Sequence, residues 1–217
     1  MDETLLDFSK AERVNFFNTL MQFGIDADEG MYARYHEIND ALWKLLERGG
    51  ITRDRLIIRR FEALFEECGI ETEAEEVARA FFKNFEEVCF PFEGACEFLN
   101  TLSSRGRVYI VTNGGKYIQK RHIADAGFEP YLSGVFISEE VGFHKPDIRF
   151  AEHVEAHIPN YRRERAVWLG DSLTSDMGCA NSLGIDFVLF SPHGIPEGYA
   201  GAFVKNYAEF LDNLKTN

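Results

Sequence analysis

Apolar residues follow two different periods along the chain, and the change falls near Pro91. Up to about Val88 they recur every three or four residues, which places them on one side of an α-helix. One such series is Tyr32, Tyr35, Ile38, Leu42 and Leu45. "SKAE" (9–12) and "TEAE" (72–75) fit a helix-starting capping box, and glycines in "RGG" (48–50) and "CGI" (68–70) fit helix ends. The pattern predicts a bundle of about four helices.

Beyond Pro91 the apolar residues form short, nearly continuous runs separated by helical stretches. The runs are "RVYIV" (107–111), "GVFIS" (134–138), "AVWLG" (166–170) and "DFVLF" (186–190). Such runs alternating with helices indicate a parallel sheet covered on both faces. The sequence therefore predicts an α/β fold, a doubly wound parallel sheet with an inserted α-helical cap. Residues 1–8 and 91–217 are assigned to the α/β core domain, and residues 9–90 to the cap.

Polar residues follow three of the predicted strands directly. "TNGG" contains Thr112, Asn113 and Gly114, "EEVGFHKP" contains Lys145, and "DSLTSD" contains Asp171 and Asp176. Each motif alone is also ordinary turn or capping chemistry. Because ligands of open α/β sheets bind outside the carboxyl ends of the strands, we expect these groups to meet at one rim. Two carboxylates suit Mg²⁺, and a lysine with hydroxyl and backbone N–H groups suits phosphate oxygens, so the combination points to phosphoryl transfer.

Charge and cysteine usage narrow the classes of partner. The 217 residues carry a net charge of -13 at pH 7, which disfavours contact with a nucleic-acid backbone. The cysteines at positions 68, 89, 96 and 179 are scattered without a C-x-x-C pair, which fits reduced thiols. The longest apolar runs are strand-sized, and the first thirty residues lack a secretory pattern. We expect a cytoplasmic monomer or homodimer that binds a small phosphomonoester and neither nucleic acid nor membrane.

Four motifs together resemble those of the haloacid dehalogenase superfamily of aspartyl-phosphate hydrolases. They are Asp2-Glu3-Thr4, "TNGG", "HKP" and "GDSLTSD", in the family's order and with a helical cap inserted after the first. The resemblance implies a Mg²⁺-dependent phosphomonoester hydrolase. By resemblance, the catalytic residues are Asp2, Thr4 and Lys145. The phosphate-binding residues are Thr112, Asn113, Gly114 and Lys145, and the magnesium ligands are Asp171, Asp176 and the backbone carbonyl of Asp2.

The first family motif, D-x-D-x-T, is matched only in its second half. Asp2 matches the second aspartate, which protonates the leaving oxygen and then activates water, and Thr4 matches the threonine. The first aspartate, the nucleophile, would stand immediately before Met1 at the end of a central strand, and neither is in the sequence. Losing that strand would remove about ten ladder hydrogen bonds of ~1 kcal/mol each, which rivals the ~5–15 kcal/mol stability of a domain.

Two explanations for this departure stay open. We expect an incomplete N-terminus on an active enzyme, because a protein losing catalysis would more easily change one aspartate than delete a strand. The alternative is a catalytically dead member of the superfamily that binds a nucleotide or another partner.

The cap suggests the substrate class. "YHEINDALWKLLERGGITRDRLIIRRFEAL" and "ISEEVGFHKPD" are most similar to the house-cleaning pyrimidine 5′-nucleotidases, which implies nucleoside monophosphates as substrates. Tyr35, Trp43, Arg60 and Phe61 are candidates for contact with the base, because rings stack and arginines bind polar edges. Such rings more often fill the core of a helical bundle. The nearest alternatives are phosphoglycolate and a sugar phosphate, acted on by another phosphatase of the superfamily.

Overall fold

The structure, a computed structural model that describes residues 1–214, divides into two compact units. One comprises Met1–Asp7 and the chain from Pro91 onwards, and the other comprises Phe8–Phe90. We call them the core unit and the cap unit. Their border falls one residue before the predicted one because the first helix already begins at Phe8.

Helices account for most of the cap unit. They are α1 (Phe8–Gln22), α2 (Glu29–Glu47), α3 (Arg53–Cys68) and α4 (Ala74–Phe85). The side chains of Asp28 and Thr52 cap α2 and α3 by accepting hydrogen bonds from backbone N–H groups of the first turn. Gly69 ends α3 in the left-handed conformation that glycine adopts readily. The two predicted capping boxes were wrong: Ser9 lies inside α1, and Glu73 precedes α4 without a side-chain cap.

A buried polar cluster joins three helices of the cap unit. Glu12 of α1 has no exposed surface and accepts a hydrogen bond from Asn39 Nδ2 at 2.8 Å. Its second oxygen lies 3.2 Å from His36 Nδ1. Arg60 of α3 donates to Asn39 Oδ1 at 3.3 Å. These contacts supply the partners that buried charged groups need.

Three of the residues expected to contact a nucleotide base belong to this interior instead. Tyr35 and Phe61 have 0% of their surface exposed, and Arg60 has 6%. The Arg60 guanidinium lies over the rings of Tyr35, Phe61 and Phe81, between 4.7 and 5.8 Å from their centroids. The structure therefore corrects the prediction for Tyr35, Arg60 and Phe61, because the cap's own core covers them. Trp43 is half-buried and stays a prediction.

The core unit contains parallel strands, as predicted. They are β1 (Tyr109–Thr112), β2 (Gly134–Ile137), β3 (Val167–Gly170), β4 (Asp186–Phe190) and β5 (Phe203–Val204). β1 pairs with β2 from Tyr109 opposite Gly134, and β3 pairs with β4 from Val167 opposite Asp186. The short strand β5, which pairs with β4, was not predicted.

Helices surround these strands. They are α5 (Ala95–Ser103), α6 (Lys116–Asp125), α7 (Ser138–Val141), α8 (Ile148–His157), α9 (Asp176–Leu183) and α10 (Tyr207–Asn213). Phe150 of α8 and Cys179 of α9 are fully buried with Trp168 of β3 in one apolar cluster. Within residues 1–214, no helix combines the length and the apolar character that crossing a membrane requires.

Among residues 1–214 the strands form two sheets, β1–β2 and β3–β4–β5, with no pairing between them. In the described part of the chain, β1 and β3 each pair on one side only. A cleft of about 810 Å³ lies along them, lined by apolar residues that include Ile110, Val111 and Leu169. The single sheet expected from the sequence is thus divided at the position that the family resemblance assigns to its first strand.

Candidate active site

A tight turn over residues 1–6 presents Asp2 and Thr4. The Met1 carbonyl accepts hydrogen bonds from the N–H groups of Thr4, Leu5 and Leu6 at 2.7–3.2 Å. The turn is anchored from the other end of the chain, since the buried hydroxyl of Tyr207 in α10 donates to the Thr4 carbonyl at 2.8 Å. The position of Thr4 therefore depends on a residue 203 positions away.

Two long-range hydrogen bonds connect this turn to the strand ends. Thr4 Oγ1 donates to Asp171 Oδ1 at 3.1 Å, which joins the first predicted motif to the last. Gln119 Nε2, from α6, donates to Asp2 Oδ2 at 3.0 Å. The turn is consequently tied both to the loop after β3 and to the helix that follows β1.

A buried ion pair occupies the middle of the site. Lys145 Nζ lies 2.5 Å from Asp176 Oδ1 and 3.3 Å from the Val111 carbonyl oxygen. Burial by itself would lower the pKa of Lys145, but the charge of Asp176 and its hydrogen bond outweigh this and raise the pKa. Burial would likewise raise the pKa of Asp176, but Lys145 outweighs it and lowers the pKa. Both side chains are therefore charged at neutral pH.

Further donors hold the Asp176 carboxylate in place. Trp168 Nε1 donates to Oδ1 at 3.1 Å, and the backbone N–H of Ser172 donates to Oδ2 at 3.2 Å. Gly170, at the end of β3, allows this approach, because a Cβ there would lie 2.5 Å from Asp176 Cγ. A glycine is therefore required at position 170 for Asp176 to reach Lys145.

Asp171 has a different environment from Asp176. Asp171 is exposed to solvent, whereas Asp176 is buried, although neighbouring protein groups partly desolvate the Asp171 carboxylate. Burial, followed by the repulsion of the Asp176 carboxylate, raises the pKa of Asp171. Protonation or a bound cation would relieve this repulsion.

The loop after β1 supports Lys145. Asn113 Nδ2 donates to the Lys145 carbonyl at 2.9 Å, and Asn113 Oδ1 accepts from the Lys145 N–H at 2.8 Å. The side chain of Asn113 therefore positions Lys145, and the prediction that Asn113 takes part in phosphate binding stays open for its backbone N–H group. The nearly buried Thr112 hydroxyl accepts from the Gly114 N–H at 3.1 Å, so its own hydrogen can point elsewhere.

The acidic pair can take part in a magnesium site that is completed by other ligands. In residues 1–214, no group of three or more Asp, Glu, His or Cys side chains has metal-binding geometry. Mg²⁺ commonly uses one or two protein carboxylates and takes its other ligands from water and substrate phosphate. Asp171 is exposed to solvent beside Asp176, so a cation bound there could also take ligands from water and substrate. The pair therefore suits a shared site and not one enclosed by protein.

Three residues that support the site were not predicted. They are Gln119, Trp168 and Tyr207, which contact Asp2, Asp176 and Thr4 respectively. In the sequence Trp168 and Tyr207 look like apolar core residues, and Gln119 looks like a polar residue of a surface helix. Each acts across the fold, so spacing along the chain carried no signal for them.

A parallel α/β core, a helical unit inserted after the first motif and a lysine–aspartate pair at the strand ends are features of a haloacid dehalogenase-like hydrolase. Residues 1–184 match the family described as haloacid dehalogenase-like hydrolase. The chain belongs to this family, which confirms the resemblance, the fold class and the prediction that the protein is an enzyme.

Individual relatives are similar over almost the full chain. The pyrimidine 5′-nucleotidase PynA of Streptococcus pneumoniae is 35% identical over 223 residues, covering 100% of this chain and 93% of that protein. The pyrimidine 5′-nucleotidase YjjG of Escherichia coli is 26% identical, covering 98% and 94%. The solved structure of the HAD-hydrolase YfnB from Bacillus subtilis, described as bound to magnesium, has a TM-score of 0.93 at 30% identity, covering 99% and 96%.

Proposed function

We propose that the protein is a Mg²⁺-dependent phosphatase that hydrolyses nucleoside monophosphates, with pyrimidine nucleotides as the preferred class. The observation that carries the proposal is the buried Lys145–Asp176 pair beside Thr112 and Asp171 at the carboxyl ends of β1 and β3. Support for the substrate class comes from the names of PynA and YjjG. The cytoplasmic location and the oligomeric state stay predictions.

Lys145 and Thr112 hold the phosphate in this proposal. A lysine ammonium has three hydrogens, and Lys145 uses two of them on Asp176 and the Val111 carbonyl. The third is available for a phosphate oxygen. The Thr112 hydroxyl already accepts from Gly114, so it can donate to a second phosphate oxygen. Backbone N–H groups of the "TNGG" loop add further donors where negative charge develops.

The acidic residues have separate roles. Asp171, Asp176 and the Asp2 backbone carbonyl would hold Mg²⁺, which when bound neutralises phosphate charge and makes phosphorus more electrophilic. Asp2 protonates the leaving nucleoside oxygen and then removes a proton from the attacking water. Thr4 connects Asp2 to Asp171. It lies in the same turn as Asp2, and its hydroxyl donates a hydrogen bond to the Asp171 carboxylate.

The residues named so far do not include the carboxylate that attacks phosphorus. The family pattern assigns it to the position immediately before Met1, and no residue of the printed sequence matches it. We assign the attack to an aspartate carboxylate, as the family resemblance implies. This carboxylate forms a bond to phosphorus as the bond to the nucleoside oxygen breaks, and water then hydrolyses the acyl phosphate.

The experiment compares the 217-residue chain with a version prolonged at the N-terminus by an apolar strand ending in aspartate. Phosphate release is measured with and without Mg²⁺ from uridine and cytidine monophosphates, phosphoglycolate and a hexose phosphate. We expect the prolonged version to hydrolyse the pyrimidine nucleotides fastest, only with Mg²⁺, and to be inactive when the added strand ends in asparagine. Absence of hydrolysis of every ester by the prolonged version overturns the proposal. Nucleotide binding without turnover supports the binding-protein alternative.

A further inference from the structure

Gln119 is the side chain that holds the Asp2 carboxylate. It lies in the first turns of α6, directly after the "TNGG" loop, and is 117 positions from Asp2 in the sequence. Its Nε2 donates to Asp2 Oδ2 at 3.0 Å, and only 2% of the residue is exposed. A buried amide that bonds a carboxylate restricts the rotation of that carboxylate about its own side-chain bonds.

The other end of the same amide has no hydrogen-bond partner. Oε1 of Gln119 is buried, and within residues 1–214 nothing donates to it. Buried polar atoms in folded proteins are nearly always paired, and in the described residues the one hydrogen bond of this amide is the one to Asp2. The contact with Asp2 therefore determines how this amide is placed.

The loop before α6 is shaped to leave room for this side chain. A Cβ on Gly114 would lie 2.2 Å from Gln119 Nε2 and 2.4 Å from its Cδ. The phosphate-binding loop and Gln119 consequently pack against each other without space for any side chain at position 114. Movement of this loop would be transmitted to Gln119 and from it to Asp2.

We propose that Gln119 is a positioning residue that orients Asp2 for proton transfer to the leaving oxygen and from the attacking water. This rests on the proposed function, in which Asp2 is the acid and base. By donating to Oδ2, Gln119 leaves Oδ1 to face the reacting oxygens. A proton donor must be held in line with its acceptor, so loss of the amide lowers the rate of the chemical step more than it weakens substrate binding.

The first test uses the 217-residue chain and does not depend on turnover. The side-chain amide of Gln119 is observed by ¹⁵N NMR in the parent protein, in Asp2→Ala and in Asp171→Asn. We expect Asp2→Ala to shift the Gln119 signal and Asp171→Asn to leave it near its parent position. An unchanged signal in Asp2→Ala shows that the contact is absent and overturns the inference.

The second test uses the prolonged, nucleotide-hydrolysing version. Gln119→Met removes the amide at similar volume, and we expect kcat to fall roughly ten- to a hundredfold with KM changed less than about threefold. Ile123→Val, buried in the same helix, serves as the control and should leave both constants near the parent values. In an Asp2→Asn background, Gln119→Met should cause no further loss, since the two residues act as one unit.

The outcomes separate the two proposals. If the prolonged version hydrolyses no phosphomonoester, the proposed function fails while the NMR test of the contact still stands. If it is active and Gln119→Met leaves kcat unchanged, the positioning role is overturned. The role is also overturned if Gln119→Met lowers kcat equally with and without Asp2, because a general loss of structure would do so.

Discussion

Lys145 Nζ lies 2.5 Å from Asp176 Oδ1, and the two side chains are only 6% and 7% exposed. A buried ion pair contributes little net stability compared with apolar residues of similar size, because both charges lose their hydration. Its presence at the strand ends is therefore better explained by the chemistry of the site than by stability. Asp176 is the counter-ion that keeps the Lys145 ammonium charged and in place in this buried position.

Breaking this pair on one side should destabilise the core unit strongly. Asp176→Asn leaves Lys145 buried beside a neutral amide, and we expect a loss of about 3–5 kcal/mol in the free energy of unfolding. Urea denaturation measures it. The double variant Lys145→Met/Asp176→Leu removes both charges and should recover much of the loss. If the single variant is as stable as the parent, the pair is not buried in solution.

The Lys145–Asp176 pair predicts a pH range over which its contribution to the free energy of unfolding is constant. The pKa of Asp176 is lowered, so its contribution is present above the usual aspartate pKa and is lost as the pH falls through the lowered value. The pKa of Lys145 is raised, so its contribution is present below the usual lysine pKa and is lost as the pH rises through the raised value. The stability difference between the parent and Lys145→Met/Asp176→Leu should therefore be flat from about pH 5 to pH 9. A steady slope within that range contradicts the assignment.

In the proposed magnesium site, Asp171→Asn should weaken Mg²⁺ binding while leaving the protein folded. Asp171 carries a carboxylate whose ionisation is opposed by burial and by Asp176, and a divalent cation relieves that repulsion. We expect affinity to fall by at least the roughly 10–100-fold that loss of an outer-shell partner costs a metal site. Titration calorimetry with Mg²⁺ measures it, and Asp125→Asn on the surface of α6 is the matched control. Equal affinities in the two variants would place the metal elsewhere.

Tyr207→Phe should loosen the turn that presents Asp2 and Thr4. It deletes the 2.8 Å hydrogen bond to the Thr4 carbonyl and leaves that oxygen without its donor. We expect a loss of about 0.5–1.5 kcal/mol in the free energy of unfolding. Tyr117→Phe, at a side chain that is 71% exposed, removes the same hydroxyl from the surface and should change stability little. Equal effects of the two substitutions would mean that the Tyr207 hydroxyl is not bonded.

The cysteines should differ sharply in reactivity. Burial raises the pKa of Cys179 to about 12, while Cys68 is exposed. Since the thiolate is the reactive form, a disulfide reagent at about pH 8 should label Cys68 rapidly in the native protein and Cys179 only after unfolding. Mass spectrometry of the labelled peptides distinguishes the two. Rapid labelling of Cys179 under native conditions would show that its cluster opens readily.

Much of the fold could be predicted because it depends on local patterns. The run 186–190 coincides with β4, and the helical spacing in 9–88 corresponds to α1 to α4. The helix starts were less accurate, because "SKAE" and "TEAE" contain the right residue types while the chain begins its helices at Phe8 and Ala74. The short strand β5 has only two residues, too few for a periodic signal.

The expectation that groups after the strands meet is confirmed for Lys145 and Asp176, while their roles in a site stay predictions. Both residues follow the carboxyl ends of parallel strands, β2 and β3, and they meet although these strands belong to different sheets. Predictions failed where packing decides the role of a side chain. An arginine such as Arg60 looks available for a ligand in the sequence, and only the helical bundle shows that it is enclosed by Asn39 and aromatic rings.

The open cleft between β1 and β3 affects how the core unit responds to mild destabilisation. In the described residues no strand pairing crosses it, so cohesion between the two sheets relies on side chains and on the helices around them. Cooperative units in proteins commonly follow continuous ladders of backbone hydrogen bonds. Native-state hydrogen exchange of the 217-residue chain should therefore resolve β1–β2 and β3–β5 as two groups with different protection, and the added strand of the prolonged version should merge them into one.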